Sequence, residues 1–314
     1  VATQGVPGLL LVCRGYACGL ARSAARILGA EAAEAQGKLF PDGESYLRVD
    51  AEARGRAAVA VVTGYPEPSR ALLEEMLLVE ALRGLGAASV TAFMPYTPYS
   101  RQDRRFLRGE SISIRAVLRA LAAAGADAYA TVDIHKPYSL DWFPGPAANV
   151  DPSPAFAEAL RPLVGGDTVY VVAPDRGALP RAHRLAERLG AAFDYLEKTR
   201  DRVTGEVRIK PKTLDVAGAA VVLVDDIVST GGTLAKAARL LLEEGAKRVL
   251  AAVTHCLLVG NAAEKLEESG LEALICGNTV EPHWEKARTV DLGPQAAEAL
   301  RELAERIHGY EREL

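Results

Sequence analysis

Cysteine is scarce in this chain of 314 residues: there are four, Cys13, Cys18, Cys256 and Cys276, and none forms a Cys-x-x-Cys pair. That excludes a zinc ribbon or a thioredoxin-type site, and the scattered cysteines read as reduced thiols of a cytoplasmic protein. Long apolar runs are missing too. Nothing approaches the ~20 apolar residues of a membrane-spanning helix, and the run Leu9–Cys13 is too short and wrongly flanked for a signal peptide. No charge of one sign dominates. The formal net charge is −4 with Lys and Arg dispersed, which argues against a nucleic-acid partner or a membrane surface. No GxxxxGK[ST] string and no GxGxxG after a strand-like run occur, which disfavours a P-loop kinase and a Rossmann dehydrogenase. The sequence begins at Val1 without Met, and a trimmed start is expected.

What is present is an α/β rhythm. With 49% hydrophobic and 25% charged residues the chain is globular in composition, and its length suits two domains, each with its own core. Strand-like runs at Leu9–Cys13, Ala57–Val62, Ser89–Met94, Tyr129–His135, Thr168–Ala173, Val221–Val224 and Arg248–Thr254 alternate with helical segments. Those segments are Ala17–Leu28, Ser69 (as N-cap) to Gly84, Ser111–Ala124, Leu179–Leu189, Thr230–Glu244 and Pro294–Ile307. The alternation predicts mostly parallel sheets flanked by helices. A polar, proline-containing stretch at Asn149–Pro154 predicts a boundary, giving domains 1–150 and 151–293, with a helix over 294–314 packing back on the first. The halves read as copies, with Thr131–Ser139 set against Leu223–Gly231. Two stretches break the rhythm: Lys38–Val49, with a Pro41-Asp42-Gly43 turn, and Phe193–Lys210, a charged two-stranded ribbon expected to project and move.

The densest chemical signal is VVLVDDIVSTGGTLA, Val221–Ala235. An apolar strand leads into Asp225 and Asp226, then Ser229-Thr230-Gly231-Gly232-Thr233, then a helix. Glycines permit close approach of the backbone, and the free N–H groups of a helix start favour a phosphate. The paired acids suit sugar hydroxyls or a hydrated Mg²⁺. Elsewhere Phe40 offers a face to a purine, and Asp42 and Glu44 offer acceptors to its amino group. Arg101, Arg104 and Arg105, in the loop after Ser89–Met94, suit a polyphosphate, and Gln102 a base edge. His135 and Asp175 each stand at a strand end and together suit one Mg²⁺, although a turn acid or N-cap is the ordinary role of such an Asp. Lys198 and Arg200, with Arg202 as a weaker third, read as a cationic lid for a phosphoryl group.

VLVDDIVSTGGT resembles the phosphoribosyl-diphosphate (PRPP) loop of the type I phosphoribosyltransferase fold. The ordered set FPDGESYLRV, PYTPYSRQDRR, TVDIH, APDRG, EKTR, VLVDDIVSTGGT and AAVTH resembles the ribose-phosphate diphosphokinase family over nearly the whole chain. The resemblance implies two tandem phosphoribosyltransferase-like domains. It implies ATP bound by Phe40, Asp42 and Glu44 of a neighbouring subunit with Arg101, Gln102 and Asp103, hence a homo-oligomer with that site near a subunit interface. It further implies ribose 5-phosphate on Asp225, Asp226 and Ser229–Thr233, Mg²⁺ at His135 and Asp175, and Lys198 and Arg200 as catalytic residues. KPYSLDWF after His135 looks closer to archaeal-type members, while Ser229, where many members carry an acid, and the short TRDRVTGE tip depart from the family pattern. A nucleobase phosphoribosyltransferase, which would not need the ATP elements, and a non-catalytic regulatory subunit, which would have lost the key charges, are the alternatives.

Overall fold

The computed structural model describes residues 8–200, 207–211 and 213–310. In chain order the first part carries β1 (Leu10–Cys13), α1 (Cys18–Leu28), β2 (Glu31–Glu34), β3 (Gln36–Leu39), β4 (Ser45–Arg48), β5 (Ala57–Val61), α2 (Pro68–Gly84), β6 (Ser89–Met94), α3 (Ser113–Ala123), β7 (Ala128–Val132) and β8 (Ala147–Val150). Next come α4 (Ser153–Val164), β9 (Val169–Ala173), α5 (Leu179–Leu189), β10 (Ala192–Arg200), β11 (Val207–Pro211), β12 (Ala220–Val228), α6 (Gly232–Glu243), β13 (Arg248–Cys256), α7 (Ala262–Glu267), β14 (Leu271–Gly277) and β15 (Ala287–Val290), and finally α8 (Gly293–Tyr310).

These form two compact units. One holds the described residues up to Asp151, with Asn278–Val280 and those from Asp291 on; the other holds those of Pro152–Gly277 and Glu281–Val290. Within the first unit α8 packs on α1 and on the β7–β8 edge. Ala296, Ala297, Leu300 and Leu303 of α8 are buried at helical spacing. Its entry is tied by Asp291, which accepts from Ser23 Oγ and from Asn278 Nδ2.

The first sheet is six-stranded and parallel, in the order β2-β1-β5-β6-β7-β8. The second runs β11-β10-β9-β12-β13-β14-β15, all parallel except the β10–β11 pair. Numbered by appearance and leaving out the antiparallel β11, both sheets read 2-1-3-4-5-6. Both are interrupted between their second and third strands, by the β3–β4 ribbon in one unit and by β11 in the other. The halves thus share a strand order, but Thr131–Ser139 is not the counterpart of Leu223–Gly231. β7 is a fifth strand and β12 a third; the topological counterpart of β12 is β5, whose following turn carries a single glycine, Gly64.

Local sequence explains the elements. Central strands such as β6 are buried throughout, as parallel strands covered on both faces must be. Helix α1 buries Leu20, Ala21, Ala24, Ala25 and Leu28 and stops at Gly29, whose φ of 62° lets the chain turn. Helix α2 is opened by Pro68 after Glu67 rather than capped by Ser69, whose hydroxyl instead meets Tyr99 Oη at 2.6 Å. In the second unit one apolar layer packs α6 on Val221, Leu223 and Val249, and another packs α4 and α5 on Val222, Val224 and Leu250.

The cysteines are not free thiols. Cys13 pairs with Cys18 and Cys256 with Cys276, at Cα separations of 5.0 and 5.9 Å. A single 3₁₀ turn folds Cys18 back on the end of β1, and Cys256 and Cys276 lie on the neighbouring strands β13 and β14. Separations of five and twenty residues hide both pairings from a spacing rule.

Candidate active site

In the second sheet the strand order turns between β9 and β12, and open α/β sheets bind ligands beyond the carboxyl ends of strands at such a point. β12 is longer than the apolar run Val221–Val224 suggests. β13 keeps pairing with it through Asp225↔Val253, Ile227↔His255 and Val228↔Cys256, so both acids are strand residues on opposite faces. Asp226 is buried, with its Oδ2 3.6 Å from Arg181 Nη2 of α5. Asp225 Oδ1 accepts from the Asp226 N–H at 2.9 Å. Burial, reinforced by the neighbouring Asp226 charge and opposed by Arg181, pushes the Asp225 carboxyl up to about 8.

Past Val228 the chain makes the turn Ser229-Thr230 and enters α6 at Gly232, two residues later than the sequence suggests. Gly231 is the N-cap with φ 73°, and a Cβ there would lie 3.0 Å from the Ala262 carbonyl oxygen. The first intrahelical bond runs from Ala235 N–H to Gly231 O, leaving the N–H groups of Gly232, Thr233 and Leu234 for an anion. A brace unseen in the sequence supports this cradle. Leu257 and Leu258 N–H donate to Val228 O at 2.9 and 3.2 Å, Val259 N–H to Ser229 O at 2.9 Å, and Lys265 Nζ to Thr230 O at 3.4 Å.

Asp175 stands two residues beyond β9 and caps a 3₁₀ turn, its Oδ1 accepting from Gly177 N–H at 2.6 Å. Among the described residues the other carboxylate oxygen makes no hydrogen bond, and it suits Mg²⁺, which takes few protein ligands and keeps waters and substrate oxygens. Asp175 and Thr233 line one cavity of about 460 Å³ with Arg176, Tyr195, Glu197 and Lys236. Lys198 and Arg200 continue β10 beyond Glu197, their backbones opposite Ile209 and Val207; their side chains, and Arg202 altogether, lie outside the described ones.

In the first unit β7 ends at Val132, so His135 lies in a turn rather than at a strand end. Asp133 there has φ 40°, its N–H donates to Val150 O, and Ile134 N–H donates to Asn149 Oδ1, so β8 diverts the chain. His135 is half-buried. Three residues on, Tyr138 Oη donates to Asp103, which accordingly holds the tyrosine hydroxyl protonated above its ordinary range. Asp103 is buried, and Gln102 Nε2 reaches the carbonyls of Arg104 and Ser111 at 3.4 Å each, so both serve to shape their loop. Arg101 is exposed and makes no ion pair among the described residues. In the β3–β4 ribbon the Phe40 ring meets Tyr46 edge-on at 6.0 Å under Lys38, while Asp42 Oδ1 accepts from Glu44 N–H at 3.1 Å. Leu39, Phe40 and Tyr46 are exposed on it.

Beneath the 95–105 loop lies a polar cluster that periodicity cannot reveal. Thr97 Oγ1 is 2.6 Å from both Tyr129 Oη and Thr131 Oγ1. Burial holds Glu75 of α2 well above the carboxylate range. The Phe93 and Val62 backbone amides draw it the other way, but neither carboxylate oxygen completes a hydrogen bond among the described residues.

Residues 10–125 match the model of the N-terminal domain of ribose phosphate pyrophosphokinase, and residues 155–276 that of the phosphoribosyl transferase domain. The ribose-phosphate pyrophosphokinase of Saccharolobus solfataricus is 42% identical over 90% of this chain and 97% of its own. This chain belongs to the ribose-phosphate pyrophosphokinase family. The Methanopyrus kandleri pyrophosphokinase is 43% identical over 91% of this chain and 96% of its own. The crystal structure of phosphoribosylpyrophosphate synthetase from Mycobacterium smegmatis superimposes with a TM-score of 0.83 at 31% identity, covering 94% of this chain and 99% of that one. Ribose-phosphate pyrophosphokinase activity, a transferase step in nucleotide biosynthesis, follows from that membership, and the likeness is to archaeal members at about 40% identity. No described helix is long and apolar enough to cross a membrane.

Proposed function

We propose that the enzyme transfers the β,γ-diphosphoryl group of ATP to the C1 hydroxyl of ribose 5-phosphate, giving PRPP and AMP. The observation that carries this is the braced cradle Ser229–Thr233 at the end of β12, in a chain whose first unit matches the pyrophosphokinase N-terminal domain. The 5-phosphate lies on the free N–H groups and hydroxyls of Ser229–Thr233, and Asp225 and Asp226 orient the ribose hydroxyls. The C1 oxygen forms its bond to the β-phosphorus as the bond from that phosphorus to the bridging oxygen of AMP breaks, and the hydroxyl proton is released. Positioning and charge neutralisation suffice for such a displacement.

Lys198 and Arg200 stabilise charge on the transferring group. Asp175 and His135 are the residues we assign as donors toward Mg²⁺, which when bound would neutralise and orient polyphosphate oxygens. Arg101, with Gln102 and Asp103 shaping its loop, holds the ATP phosphates. Phe40, Asp42 and Glu44 receive the adenine, and the exposed apolar ribbon suits a second copy of the chain, so the working form is a homo-oligomer in the cytoplasm. The test mixes the protein with ATP, Mg²⁺ and ribose 5-phosphate and follows AMP. AMP and PRPP are expected in equal amounts; no AMP, with PRPP consumed on adding a nucleobase, would overturn the proposal.

A further inference from the structure

The loop that carries Arg101 is anchored on both sides of that residue, and the second anchor comes from the turn that follows His135. Two residues before Arg101, Tyr99 takes a left-handed φ of 63°, and its Oη lies 2.6 Å from Ser69 Oγ of α2. Two residues after it, the buried Asp103 accepts from Tyr138 Oη. Arginines at 101, 104 and 105 flank this acid in sequence, yet among the described residues it pairs with none of them. Arg104 lies over the Phe106 ring at 4.8 Å, and Arg105 Nε donates to Glu110 O at 2.8 Å. A neutral hydroxyl therefore serves the carboxylate, and the charge of Arg101 is not spent inside its own loop.

Tyr138 is itself firmly placed. It belongs to the 3₁₀ turn Pro137–Trp142, three residues beyond His135. Ser139 N–H donates to Lys136 O at 2.9 Å and Phe143 N–H to Leu140 O at 3.0 Å, closing the turn. Phe143 is buried, with its ring 5.8 Å from that of Tyr129 on β7. The Tyr138 and Trp142 rings meet nearly perpendicular at 5.9 Å. Tyr138 is half-exposed, so its ring adds little to the core, while its hydroxyl is engaged with the loop. Both partners lie in the first unit.

We infer that Tyr138 is a positioning residue for ATP, fixing the loop Arg101–Asp103 against the turn that carries His135. The inference rests on the proposed reaction and names a residue that reaction does not by itself require. Without the hydroxyl a buried carboxylate lacks its donor, and Asp103 draws the loop toward water. A loop ordered before its ligand arrives binds more tightly than one the ligand must order.

The test titrates Mg²⁺ with α,β-methylene-ATP, which cannot release AMP, and separately ribose 5-phosphate, by calorimetry. The titrated proteins are the full chain, Tyr138→Phe, Asp103→Asn and the double variant. Tyr138→Phe keeps the ring and its contact with Trp142, so this variant folds. It is expected to weaken analogue binding by about fivefold or more and to change ribose 5-phosphate affinity by less than about twofold. Because the two side chains act as one link, the double variant should bind the analogue within about twofold of the weaker single variant. In turnover Tyr138→Phe should raise the KM for ATP and leave kcat within about twofold. Unchanged analogue affinity, an equal loss for ribose 5-phosphate, additive losses in the double variant, or a fall in kcat at constant KM would overturn the inference. AMP formation by the unaltered protein, with no effect of Tyr138→Phe on the analogue, removes only the positioning role. No AMP, with analogue affinity lost on substitution, keeps the positioning role and removes the proposed reaction.

Discussion

Arg181 Nη2 lies 3.6 Å from Asp226 Oδ2, with both side chains less than a tenth exposed. The guanidinium comes from α5 on one face of the second sheet, and the carboxylate from β12, so the pair joins the helix layer to the strand that carries the candidate ribose site. Truncating one partner of a buried ion pair strands the other charge. Arg181→Met should destabilise the protein by about 3 kcal/mol, measured by urea unfolding, with Arg181→Lys costing less. Equal stability of Arg181→Met and the unaltered protein would refute the pairing.

Asp225 gives a pH signature. Its carboxyl titrates at about 8 in the fold against about 4 in an unfolded chain, so the folded protein holds the extra proton between those values. Stability from this group is fully present below the unfolded value and is lost as pH rises through the folded one. Urea midpoints for the unaltered protein and Asp225→Asn should therefore diverge in favour of the variant between about pH 5.5 and about pH 8.5. A constant difference at both ends contradicts the raised value.

Gly231 carries both a left-handed φ of 73° and the near contact with Ala262 O. Gly231→Ala should cost about 1–3 kcal/mol and raise the ribose 5-phosphate dissociation constant, because the cradle N–H groups shift with the cap. Unchanged melting temperature and unchanged ribose 5-phosphate affinity together would show that the cap is not needed.

Lys198→Ala should lower kcat by roughly 10²–10³-fold with little change in ribose 5-phosphate binding, since a lid cation acts mainly in the transition state. Single-turnover and equilibrium binding measurements separate the two effects. A raised KM at constant kcat would remove Lys198 from that role.

Much was legible in contiguous residues. The apolar run of β1, the run Val221–Val224 in β12, the strand Ser89–Met94, the amphipathic spacing of α1 and the Pro41-Asp42-Gly43 turn between β3 and β4 are local, and so they appeared in the sequence close to where the structure has them. The cradle was legible for the same reason: Asp225 to Thr233 is one uninterrupted stretch, and its phosphate-binding groups are backbone N–H at a helix start. Even there β12 proved longer and α6 later, because strand length is decided by the partner strand β13 and helix entry by the turn braced from residues 257–265.

What the sequence by itself determined was the α/β rhythm, the cradle and the order of charged loops whose match identifies the family. The tertiary structure alone decided which side chains meet, Arg181 with Asp226, Tyr138 with Asp103 and Cys256 with Cys276, and which line one cavity, Asp175 with Thr233. Periodicity and motif are properties of neighbours along the chain. These meetings depend on strand order and on parallel crossovers that bring distant segments to the same sheet edge, and no local pattern records them.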